Sequence, residues 1–162
     1  MKRIITLLIF SCSITVAQQR DLKMPQVSQA AKVMQRIGLT DITISYNSPL
    51  AKGRKIWGDL VPYNEVWRAG ANENTVITFS SDVMVEGKKI GAGSYGLHMI
   101  PKTDEWTIIF SKNADAWGSF FYDEKEDALR VNVKTEQAEM QDWLDYTFRN
   151  PQENGVSVLL RW

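Results

Sequence analysis

Short runs with an apolar residue at every second position dominate this chain and leave it few folds to choose from. Ile42, Ile44 and Tyr46 alternate with Asp41, Thr43 and Ser45, and Leu129, Val131 and Val133 alternate with Arg130, Asn132 and Lys134. Side chains that change face at each step are the signature of a half-buried strand. Further runs group Val33 with Ile37, Thr75 with Ile77 and Phe79, and Tyr95 with Leu97 and Met99. Three more group Trp106 with Ile108 and Phe110, Trp117 with Ser119 and Phe121, and Val156 with Val158, Leu160 and Trp162. Glu86-Gly87-Lys88 predicts a hairpin turn between Val83–Val85 and Ile90. Residues 140–148 fit a helical stripe through Met140, Trp143 and Leu144, and also a strand through Leu144, Tyr146 and Phe148. Their aromatic and β-branched content favours the strand. Turn residues every ~8–12 positions predict an all-β, antiparallel β-sandwich of jelly-roll-like character.

One stretch does not alternate. Residues 47–74, 28 in all, separate the run ending at Tyr46 from the one at Thr75, and ordered connections beyond ~12–15 residues are often functional. It carries Lys52-Gly53-Arg54-Lys55-Ile56-Trp57-Gly58 and then Val66-Trp67-Arg68-Ala69-Gly70-Ala71-Asn72-Glu73. The sequence therefore predicts one long ordered loop as the place to look for a site.

The first 17 residues read as a secretory leader: Lys2 and Arg3, an apolar stretch from Ile4 to Val16, and cleavage near Ala17. Cys12 admits a rival reading as a lipid-attachment cysteine, but apolar residues continue past it. Residues 18–29 read as an extended lead-in and 30–162 as the β-sandwich domain, released to the periplasm or outside the cell. The leader takes two of the 19 basic residues and none of the 19 acidic ones, leaving the mature chain at −2. That charge, with no basic run, gives no footprint for nucleic acid. No apolar run after the leader is long enough to span a membrane. The single cysteine lies in the leader, so no disulfide or cysteine chemistry is expected in the exported domain.

Tyr46-Asn47-Ser48-Pro49, Lys52–Gly58, Leu60-Val61-Pro62-Tyr63 and Val66–Glu73 resemble the hallmark stretch of the domain-of-unknown-function family numbered 2911. Ala92-Gly93-Ser94-Tyr95, Ile100-Pro101, Trp106-Thr107-Ile108-Ile109 and Trp117-Gly118 continue the resemblance in the same order. Asn47 and Ala69 stand where that family more often has Ser and Thr. The resemblance implies a secreted bacterial protein of all-β fold and some residues beyond Trp162. It implies no activity, because the family has none agreed.

The loop chemistry admits several readings. Arg54 and Arg68 offer planar bidentate donation to a carboxylate, sulfate or phosphate, or could pin the loop to carbonyls and to Asp59, Glu65 or Glu73. Lys52 adds charge beside them. Trp57, Trp67, Trp106 and Trp117 could stack on a sugar ring or serve a core; Trp57 is expected to be the more exposed ring, and Trp106 to be core. Asn72 and Glu73 suit a ligand polar group or an Asx-type turn. His98, the only histidine, is out of phase with Leu97 and Met99. One histidine without cysteine makes no zinc site, and neither a calcium loop nor a phosphate cradle is present, so no metal or cofactor is expected.

The leading expectation is a non-catalytic binding or interaction module for an acidic or carbohydrate-like ligand. Its site would use Lys52, Arg54, Trp57, Arg68, Asn72, Glu73 and His98. The alternatives are a hydrolase pairing Glu73 or Asp59 with His98, and a structural envelope protein whose loop caps the sandwich. Within the loop, Arg68, Asn72 and Glu73 are expected to be buried and paired as scaffold, with Arg54 and Trp57 as the contact surface.

Overall fold

In the computed structural model, which describes residues 24–162, the alternation becomes ten strands. These are β1 (Gln29–Ile37), β2 (Thr40–Ser48), β3 (Val76–Phe79), β4 (Val83–Val85), β5 (Lys88–Ile90), β6 (Gly93–Ile100), β7 (Glu105–Ser111), β8 (Asp127–Lys134), β9 (Asp145–Arg149) and β10 (Ser157–Arg161). Six form one antiparallel sheet in the order β1-β2-β3-β6-β7-β8. Register aligns the apolar positions across it: Val33 opposite Ile44, Ile44 opposite Ile77, Ile77 opposite Tyr95, and Leu97 opposite Phe110. A one-residue slip would turn every one of these to the wrong face, so burial fixes the register.

The apolar face is covered by two small hairpins, which close the sandwich. β9 and β10 bring Tyr146, Phe148 and Leu160, and β4 and β5 bring Val83, Val85 and Ile90, into one core with Ile44, Phe79, Leu97 and Phe110. Glu86 and Gly87 at the tip of β4–β5 have φ of 47° and 75°. Two left-handed residues in a two-residue loop suit the right-handed twist of the flanking strands. The segment that admitted either period is strand β9, which pairs Tyr146 with Leu160 and Phe148 with Val158.

One expectation is corrected and one qualified. Trp117, Ser119 and Phe121 form no strand; Gly118 turns the backbone at φ 63°, and Trp117, Phe120 and Phe121 are exposed on the β7–β8 connection. Trp106 packs against the core on the same face as Ile108 and Phe110, as expected, but is half-buried rather than enclosed, because it sits at the end of the sheet, opposite Val133. The leader, and the first residues of the lead-in, lie outside the described residues.

Candidate cleft beside the long loop

The connection from Pro49 to Thr75 is ordered by its own backbone bonds. Leu50 bridges to Trp143, and the Ala51 amide donates to the Asp142 carbonyl at 2.7 Å. Trp67 and Met99 exchange amide–carbonyl bonds at 2.8 Å, which extends the edge of β6 into the loop. Between these clamps a small second core forms from Ala51, Ile56 and Val61 with Trp57, Trp67 and Trp162 packed against it.

Four indoles meet there. Trp57 lies edge-on to Trp106, Trp67 and Trp162 with centroids 4.5, 5.6 and 6.1 Å away. Trp67 and Trp162 are nearly parallel, 12° apart at 6.0 Å. Trp57 is thus half-buried and central to the cluster rather than an exposed ring at the loop tip. Local sequence could not show this, since its neighbours come from β7 and from the chain's last residue.

The second half of the loop is held in an unusual backbone shape. Ala69 is fully buried with φ of 55°, a left-handed conformation that costs a non-glycine residue about 1 kcal/mol. Its carbonyl accepts from Tyr146 Oη at 2.7 Å and Thr75 Oγ1 at 3.0 Å, which fixes it in place. Gly70 follows because a Cβ there would lie 2.6 Å from Thr75 Oγ1.

These constraints shape a cleft of about 350 Å³ on the flank of the loop. Lys52, Arg54 and Arg68 contribute to its lining, with the stacked Trp67 and Trp162 and with Ser28 of the lead-in. Aliphatic surface from Leu50, Leu60 and Val61 completes much of the rest, and none of the described lining residues has an acidic side chain.

The two arginines differ, and in the opposite sense to the expected split. Arg54 is the anchor: its guanidinium donates from Nε to the Ala51 carbonyl at 2.8 Å and from Nη2 to the Leu50 carbonyl at 2.6 Å. Arg68 is half-buried, its Nε is shielded from solvent, and it has no hydrogen-bond or ion-pair partner among the described residues. Burial pulls its pKa below the usual guanidinium value. Its stem lies against Gly118, where a Cβ would come within 3.1 Å of the Arg68 Cδ. The segments around Arg68 and Trp117-Gly118 thus meet in space.

The other expected site residues are dispersed. Asn72, at φ 56°, donates from Nδ2 to Gln26 Oε1 at 2.8 Å and tethers the lead-in. Glu73 is exposed, accepts from Asn47 Nδ2 at 2.8 Å, and lines a second cleft of about 290 Å³ with Asn74, Asp115 and Trp117. His98 is 2% exposed on the opposite face of the sheet from the main core. Its Nδ1 lies 3.1 Å from Ser119 Oγ and its ring 5.2 Å from that of Tyr122. Neither Glu73 nor Asp59 bonds to it, so the pairing a hydrolase would need is not formed. Burial holds His98 down to about 4, against a partial upward pull from Asp127, and it is neutral at pH 7. The β7–β8 connection is pinned over it by Tyr122, whose hydroxyl donates to Asp127 Oδ2 at 2.8 Å, with Arg130 paired to the same carboxylate.

A sequence profile of the family described as protein of unknown function, DUF2911, matches residues 28–162. The chain belongs to this family. No curated protein and no solved structure matches it. Within the DUF2911 stretch, the segments from Lys52 to Gly58 and from Val66 to Glu73 build both the indole cluster and the cationic cleft. The tryptophan completing each, Trp162, lies about a hundred positions further on, and no local pattern ties it to Trp57 or Trp67. No helix among the described residues is long and apolar enough to cross a membrane.

Proposed function

We propose that this DUF2911 protein is an exported, non-catalytic binding module whose cleft beside the 52–73 loop takes an acidic ligand. The observation that carries this reading is Arg68. A half-buried cation without a counter-charge is costly, and here it joins Lys52 and Arg54 around a cleft with no acidic side chain among its described lining residues. A ligand anion would supply the missing partner, and charge-assisted bonds to guanidinium are among the stronger polar contacts available. Ala69, held in a left-handed conformation next to Arg68, fits a backbone shaped for such a role.

The test separates anchor from binder. Arg54→Ala strips a donor from two loop carbonyls and should cost about 1 kcal/mol of stability. Arg68→Ala removes an uncompensated charge and should change stability by less than ~0.5 kcal/mol while weakening acidic ligands at least tenfold. Urea denaturation and a binding screen with organic acids read both effects. If Arg68→Ala unfolds the domain and no acid binds the parent protein, the loop is a cap and the structural envelope reading replaces this one.

Export rests on the residues before Gln18. The expected exported species starts near Gln18 and carries no lipid, because apolar residues run on past Cys12. Intact-mass measurement decides it; a diacylated species beginning at Cys12 would overturn it.

A further inference from the structure

Resting on the acidic-ligand reading, we infer that the cleft selects a planar, largely apolar ring bearing one anionic group, an aromatic carboxylate, and rejects anionic sugars. The argument lies in what the lining can and cannot accept. Lysine, arginine and indole N–H groups only donate hydrogen bonds. Among the described lining residues Ser28 has the only side-chain oxygen, and there is no Asn, Gln, Asp or Glu. Five of the lining carbonyls are already engaged: Leu50 O receives Arg54, Ser28 O receives Asn72 Nδ2 at 3.4 Å, and those of Pro49, Val61 and Trp67 receive the amides of Leu144, Gly58 and Met99.

A pyranose brings several hydroxyls, each with a proton to donate. Those turned toward this lining would find one side-chain acceptor, Ser28, and a polar group shielded from water without a partner weakens binding. An aromatic acid has no such need. Its carboxylate only accepts, which matches the free Arg68 guanidinium with Lys52 beside it, and its ring asks for apolar contact.

The wall supplies that contact in a set orientation. Trp67 and Trp162 lie 12° from parallel, so a third flat ring can continue the stack. Both indoles are already held: Trp67 by its paired bonds to Met99, and Trp162 by Nε1 donating to the Asp142 carbonyl at 3.2 Å. Leu50, Leu60 and Val61 give the rest of the ring an apolar seat.

The experiment is calorimetric titration of the mature protein with 2-naphthoate, 2-naphthol, glucuronate and inorganic phosphate, followed by Arg68→Ala and Trp162→Phe. The expected result is that 2-naphthoate binds at least tenfold more tightly than each of the other three. Arg68→Ala should reduce naphthoate affinity to that of naphthol, with an unchanged urea midpoint showing that the variant folds. Trp162→Phe, which keeps a stacking ring, should retain naphthoate binding within about threefold. Equal binding of glucuronate or phosphate would overturn the ring selectivity while leaving the acidic-ligand reading intact. Equal binding of naphthoate and naphthol, or no binding at all, would overturn both.

Discussion

Acidification from pH 7 to pH 5 is expected to remove about 2 kcal/mol of stability through His98 alone, rising to about 3 kcal/mol near pH 4. In the unfolded chain the imidazole titrates near 6.5, whereas burial under Ser119 and Tyr122 holds it at about 4 in the folded protein. The folded state therefore favours the neutral ring. Its contribution is complete above pH 6.5. Below that, the unfolded chain takes up a proton that the folded one refuses, and stability falls until the folded ring also titrates. As the only histidine in the chain, His98 gives a single imidazole signal in a nuclear magnetic resonance titration. Urea denaturation between pH 7 and pH 5 should show the loss in the parent protein and a smaller one in His98→Gln, whose side chain does not titrate. A resonance that titrates near 6.5 would show that the β7–β8 connection does not seal the ring, and the predicted loss would vanish with it.

Trp57→Ala is expected to cost about 3 kcal/mol, although the residue lies in a loop and is only half-buried. Its indole touches three others in edge-on geometry and covers the small core of Ala51, Ile56 and Val61. Each such aromatic pair contributes about 0.5–1.5 kcal/mol beyond the area it buries, and removing a large core ring typically costs 3–5 kcal/mol. Partial exposure puts this site at the low end. Trp117→Ala is the control: at 54% exposure on the β7–β8 connection it should cost under ~0.5 kcal/mol. Denaturation midpoints compare the two, and near-ultraviolet circular dichroism should lose intensity for Trp57→Ala because a rigid four-indole array is broken. If both variants are equally harmless, the cluster does not hold the loop.

How far the chain could be read in advance followed the range of the forces involved. Period-two alternation is a local property, and the strands through Ile44, Leu97, Ile108 and Val131 form where it put them, as does the turn at Glu86-Gly87. It misled at Trp117, Ser119 and Phe121. There an accidental alternation crosses Gly118, whose left-handed backbone is incompatible with an extended strand. The blocks from Lys52 to Gly58 and from Val66 to Glu73 marked the region of the cleft, but not the division of labour within it.

That division was decided by tertiary structure. Whether an arginine is an anchor or a free charge depends on which acceptors the fold brings to it. Arg54 meets carbonyls from its own turn, while Arg68 is carried to Gly118, about fifty residues on in the chain. Trp57 is buried by Trp106 and Trp162, and His98 by Ser119 and Tyr122, across separations that no local pattern encodes. The sequence by itself determined an all-β chain, the reach of its long loop and the chemical types gathered there. Only packing, which depends on contacts between distant segments, determined which of those groups are spent on holding the loop and which are left to meet a ligand.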